Sequence, residues 1–166
     1  MPTLEHPNYK RAEEKAAQVL AKFDIAEPVI PVQEIAQREG LTIVYFPPNT
    51  ETSKKVSGFF DPKTKTIYVN SDDPPARQSF TIAHELGHFE LDHSPDKYNV
   101  LPRFASPIDK DPTEQEANCF AANLLVPNDM LQKIINRYNL TKQDTTLLAD
   151  LFGVSTDVIK YRLKWM

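Results

Sequence analysis

Cysteine is nearly absent. Cys119 stands alone, so no internal disulfide can form, and the cytoplasm is the expected location. Glycine is scarce at 4 in 166 residues, which argues against glycine-rich phosphate loops. No apolar run approaches the roughly 18 residues that span a bilayer. The N-terminal stretch carries Glu5, Glu13 and Glu14 with no apolar run behind them, so it does not read as a signal peptide. There is no excess of positive charge either. With 19 basic and 23 acidic residues the net charge is −4, so bulk electrostatics hold the chain to neither nucleic acid nor anionic lipid. What is present is ordinary globular material: 40% hydrophobic residues, nine Phe and six Tyr. That suffices for one compact domain with a real core.

Fourteen prolines punctuate the chain. Residues 8–23 read as a helix, because Ala12, Ala16, Val19, Leu20 and Phe23 recur at helical spacing. A short helix is expected after Pro31, ending at Gly40. Residues 41–46, 56–60 and 66–69 are β-branched and aromatic, the last two flanking an Asp61-Pro62-Lys63 turn. They predict a small antiparallel sheet. A largely buried helix follows from about Pro74, with Asp72 or Asp73 as its cap. Residues 94–111 are irregular and too long for an idle loop. Four further helices are expected, beginning at Pro112 behind an Asp111 cap, after Pro127, near Gln143 and at Thr156.

The strongest feature is His84-Glu85-Leu86-Gly87-His88. Histidines at i and i+4 lie one turn apart on one helix face and can share one metal ion. Glu85 sits beside the first histidine, placed to act as general base toward a water that the metal activates. A third ligand must come from elsewhere, and Glu114 and Glu116 are the candidates. Glu114 shares its face with Ala117, Asn118 and Ala121, small enough to let its helix approach the metal helix. Glu116 shares its face with Phe120 and Asn123, which holds the helices further apart. Glu114 is therefore preferred, although Asp111-x-x-Glu114 also fits a capping box.

Other residues have two readings each. His93 is an alternative ligand or oxyanion stabiliser, or a helix-end histidine favoured by the dipole. Asp92 orients a ligand histidine or is a solvated helix end. Tyr98, on the long loop, is a candidate donor to an oxyanion. Cys119 reads as a small core residue. Near the C-terminus, Ala149, Gly153 and Ile159 are spaced as in a helix-turn-helix, and Lys160, Arg162 and Lys164 make the segment locally basic. Either it contacts DNA or it packs on the rest of the chain. The acidic balance favours packing.

Two stretches together resemble the ImmA/IrrE family of zinc metallopeptidases. The first runs Phe80-Thr81-Ile82-Ala83-His84-Glu85-Leu86-Gly87-His88. The second runs Glu114-Gln115-Glu116-Ala117-Asn118-Cys119-Phe120-Ala121-Ala122-Asn123-Leu124-Leu125-Val126-Pro127, with Val126 where the family pattern has Met. The resemblance implies Zn2+ held by His84, His88 and Glu114, with Glu85 as catalytic base. It also implies limited proteolysis of a partner protein, often a helix-turn-helix repressor.

These readings predict an α+β fold: a small antiparallel sheet packed with the zinc-binding helix and the helices after it. Residues 1–138 would form the metallopeptidase domain and 139–166 a helical extension packed on it. The expected activity is that of an intracellular zinc-dependent metalloendopeptidase. The alternative is a metal-dependent regulatory or binding module without turnover, and the presence of Glu85 favours the enzyme. A structural-zinc DNA-binding protein is a third reading, disfavoured by a site with only three protein ligands. An extended substrate would add to a sheet edge, with residues 56–60 as the candidate strand.

Overall fold

The computed structural model describes residues 6–93, 101–102 and 111–164. Tyr98, Trp165 and most of the irregular stretch after His93 lie outside them. Seven helices and four strands follow one another among the described residues: α1 (Tyr9–Lys22), α2 (Val32–Arg38), β1 (Thr42–Phe46), β2 (Val56–Asp61), β3 (Thr66–Asn70), α3 (Pro75–Glu90), β4 (Leu101–Pro102), α4 (Pro112–Leu125), α5 (Asn128–Tyr138), α6 (Thr145–Phe152) and α7 (Thr156–Lys164). The fold is α+β, as the sequence predicts.

The sheet has the order β1-β3-β2-β4. β2 and β3 form the expected antiparallel hairpin, Phe60 opposite Ile67. The sheet is mixed, however, because β1 runs parallel to β3, with Ile43 beside Ile67. β4 pairs antiparallel with β2, Leu101 opposite Gly58 and Pro102 opposite Val56. That pairing corrects one expectation. Backbone at positions 56 and 58 already has a partner within the chain, so this part of β2 is not an open edge for a substrate strand.

Local chemistry explains the helix ends. Asn8 caps α1, its side-chain oxygen accepting from the Arg11 backbone N–H. Gly40, at φ +95°, turns the chain after α2 into β1. Asp111 caps α4 by accepting from the Thr113 N–H. The cap position of α3 belongs to Pro74, which makes no side-chain cap bond, and neither Asp72 nor Asp73 fills that role.

One apolar cluster runs through the molecule. It includes Ala12 and Ala16 of α1, Ile67 and Val69 of β3, Leu86 of α3, Phe120 and Leu124 of α4, and Leu148 and Ile159 of the last two helices. α1 and α3 both pack on α4. α3 and α4 come close where Gly87 meets Phe120: a Cβ at position 87 would lie 2.9 Å from the ring. This approach brings the chemistry of the two helices together.

Candidate metal centre

His84, Glu85 and His88 occupy the buried middle of α3, and Glu114 the first turn of α4. His84 Nε2 is 2.9 Å from one Glu114 oxygen, and His88 Nε2 is 3.0 Å from the other. The two Nε2 atoms are 3.2 Å apart. A tetrahedral zinc at bonds of about 2.0–2.1 Å would separate its ligands by about 3.3 Å. The three groups therefore sit at nearly the spacing that one such ion requires. The Glu114 carboxylate turns to the histidines, not back to Asp111 as a capping box would have it.

Hydrogen accounting adds to the fit. His84 Nδ1 lies 2.8 Å from the Asn118 side-chain oxygen, and His88 Nδ1 lies 2.8 Å from His93 Nδ1. The Asn118 oxygen only accepts, so His84 donates its Nδ1 proton outward and, as a neutral ring, turns a lone pair on Nε2 toward Glu114; His88 does the same in the tautomer that donates to His93. Acceptors gathered in this way, inside protein, call for a cation among them. Among the described residues, His84, His88 and Glu114 are the group spaced to hold one.

Glu85 is fully buried, and neither of its carboxylate oxygens has a hydrogen-bond partner among the described residues. Burial pushes its pKa up to about 7, the charge of Glu114 adds to the rise, and His84 opposes it. Burial pulls His88 down to about 4, against the pull of Glu114. His84 is lowered by burial, yet its bonds to Glu114 and Asn118 and the nearby carboxylates leave it raised overall. Glu114 is desolvated too, but its two histidine contacts hold it at about 2, ionised and ready to ligate. A carboxyl near neutrality beside an ionised one can serve as a base without competing as a ligand.

The sequence offered Glu116 as the rival third ligand and gave Asn118 no part beyond its small size on the Glu114 face. Asn118 lies one turn beyond Glu114, and that i+4 spacing was its available signal. Glu116 is completely buried, 2.8 Å from His93 Nε2, and does not face the cluster. Asp92 is exposed at the end of α3. Cys119 is buried, its thiol pushed up to about 11 by burial, as befits a core residue. Beside His84 lies a groove of about 450 Å³ lined by Arg77, Phe80, Asn118, Ala122, Val158 and Tyr161.

A buried His-Glu-x-x-His helix facing a carboxylate on a later helix is the arrangement of metallopeptidase domains, and the chain belongs to the family of the IrrE N-terminal-like domain, whose profile matches residues 36–164. It is 30% identical over 129 residues to the radiation response metalloprotease IrrE of Deinococcus deserti, covering 75% of this chain and 43% of that one. It is 28% identical over 103 residues to the metallopeptidase ImmA of Bacillus subtilis, covering 62% and 59%. The chain thus spans about half the length of these relatives. A solved Mycobacterium tuberculosis transcriptional regulator shares its fold, with a TM-score of 0.66, 18% identity and coverage of 93% of this chain and 46% of that one.

Proposed function

We propose that the chain is a zinc metalloendopeptidase of the cytoplasm that makes limited cuts in a partner protein. His84, His88 and Glu114 hold the ion, and Glu85 is the catalytic base. The observation that carries the reading is the convergence of two Nε2 atoms on the Glu114 carboxylate, beside a buried Glu85 that has no hydrogen-bond partner among the described residues. Two imidazoles and one carboxylate suit zinc among the common divalent ions. When bound, zinc supplies a Lewis acid that acidifies a water and polarises the scissile carbonyl. Glu85 takes the proton from the attacking water and delivers it to the departing amide nitrogen. Asn118 orients His84 through Nδ1, and the adjoining groove receives a substrate side chain against Phe80 and Val158.

The names of the relatives, a radiation response metalloprotease and a metallopeptidase, support a regulatory protease. The substrate that fits this role is a helix-turn-helix repressor. A cytoplasmic setting is supported by the lone, buried, free Cys119. No helix among the described residues is long and apolar enough to cross a membrane.

The test uses purified protein and a repressor encoded beside its gene. Elemental analysis should find about one zinc per chain. Glu85→Gln should keep that zinc and lose cleavage, because Glu85 is not a ligand. Full metal occupancy in the His84→Ala, His88→Ala double variant would sink the ligand assignment. Cleavage at the parent's rate by Glu85→Gln would sink the mechanism.

A further inference from the structure

The mechanism gives no part to His93 or Glu116, although both are buried, His93 against His88 and Glu116 against His93. The end of α3 explains how His93 gets there. Asp92 takes a left-handed conformation, φ +53°. Its N–H donates to Phe89 O at 3.2 Å, and the His93 N–H donates to His88 O at 3.1 Å. This pair of bonds is a Schellman ending, and it folds the chain back on the last turn. The His93 ring thereby meets the His88 ring, Nδ1 to Nδ1, at 2.8 Å.

From there the contacts continue. His93 Nε2 is 2.8 Å from one oxygen of Glu116, and the other oxygen accepts the Asn8 backbone N–H at 2.8 Å. Arg11 donates to Leu91 O at 2.7 Å and places its other terminal nitrogen 3.9 Å from Glu116. Both Asn8 and Arg11 belong to the start of α1, outside the segment the family profile matches.

Proton counting gives the contacts a direction. A carboxylate only accepts, so Glu116 takes the His93 Nε2–H. The His93 tautomer with its proton on Nε2 has a bare Nδ1, which accepts from His88. His88 must carry its proton on Nδ1, and its Nε2 is left as a lone pair pointing at Glu114. We propose that His93 and Glu116 form a positioning relay, anchored on α1, that fixes the tautomer and ring orientation of His88 for metal binding. The proposal rests on the reading of His88 as a ligand. His84 has a simpler support, the single oxygen of Asn118.

That contrast supplies the test. His93→Phe keeps the ring volume and removes the acceptor. His93→Asn puts a side-chain oxygen where Nδ1 stood, as Asn118 does for His84. Zinc affinity is measured by competition with a chromophoric chelator, alongside the visible spectrum of the cobalt-substituted protein and the melting of the metal-free form. His93→Phe should weaken zinc about 10- to 100-fold and shift the cobalt bands. His93→Asn should restore most of both, while the metal-free variants melt close together. Parent-like affinity in His93→Phe, or equal losses in the two variants, overturns the relay. If His93→Phe fails to fold, long-range 15N NMR of the parent decides: a proton on His93 Nε2 supports the relay, and one on its Nδ1 overturns it. A parent that takes up no zinc overturns the ligand assignment itself and the relay with it. A parent that binds one zinc beside unaffected variants overturns the relay alone.

Discussion

Glu85 is costly to the metal-free fold, and the cost has a pH signature. Its pKa is pushed up to about 7 by burial, above the ordinary carboxyl value of 4.5. Below the ordinary value both folded and unfolded chains hold the proton, so there is no penalty. Between the two values the unfolded chain releases it and the folded chain does not. Stability then falls by about 1.4 kcal/mol per pH unit. Glu85→Gln removes this loss. The metal-free variant should melt above the metal-free parent at pH 8, with the gap nearly closed at pH 4.5. A gap independent of pH would show that Glu85 does not titrate in this way. The two glutamates of α4 separate similarly. Glu114→Ala should abolish tight zinc binding. Glu116→Ala leaves the His93 Nε2–H and the Asn8 N–H without their buried acceptor. It should cost on the order of 1–3 kcal/mol of stability and weaken zinc less than Glu114→Ala does. Calorimetry and zinc titration of both variants check this. That Glu114, and not Glu116, faces His84 and His88 was legible from the alanines on its face. The burial of Glu116 was not, because its partners Asn8 and His93 lie far off in sequence.

At the scale of elements, close packing hangs on two glycines. A Cβ on Gly58 would sit 2.4 Å from the Tyr68 carbonyl oxygen of β3 and 2.4 Å from Thr81 of α3. The carbonyl belongs to the sheet and cannot yield cheaply. Gly58→Ala should therefore destabilise by at least roughly 1–3 kcal/mol. Gly87→Ala presses on the Phe120 side chain, nearest at 2.9 Å from a ring carbon, and alanine brings about 1 kcal/mol of helix propensity in return. Its melting temperature should fall less than that of Gly58→Ala, and the reverse order would contradict the packing described. The same scale shows what the sequence reveals. Pro75 and Pro112 in first turns, Asp111 as a cap and Gly40 after α2 are local signals, and the corresponding ends fall within a residue or two of expectation. Strand partners are not local. β-Branched and aromatic residues identify β1 as a strand but do not say that it lies parallel to β3, and nothing in two residues, one of them proline, announces β4.

At the scale of the whole molecule, the last two helices decide between two futures for the C-terminal segment. Its spacing suggested a helix-turn-helix, and the turn is there, with Gly153 left-handed at φ +67° between α6 and α7. The basic residues do not form one outward face. Lys160 and Lys164 are exposed, but Arg162 is 4% exposed and donates through Nε to Val126 O at 2.9 Å. Burial pulls its pKa below the usual guanidinium value. Arg162 thus ties α7 to the end of the helix that carries Glu114, and Leu148, Ile159 and Leu163 share the core with α3 and α4. A shared core predicts shared unfolding. Arg162→Ala removes the donor to a buried carbonyl and the packing of a long aliphatic stem, so it should lower the melting temperature of the entire chain. Lys160→Ala, at the surface, should change it little. Far-UV and near-UV circular dichroism should follow one coincident transition in the parent and in Arg162→Ala. Zinc should raise that transition as a whole, because it binds the folded state alone. Two transitions, with only the first moved by zinc, would restore an independent C-terminal unit. Retention on duplex DNA that weakens steeply with salt would restore its reading as a DNA contact. The burial of Arg162 and the net charge of −4 predict neither.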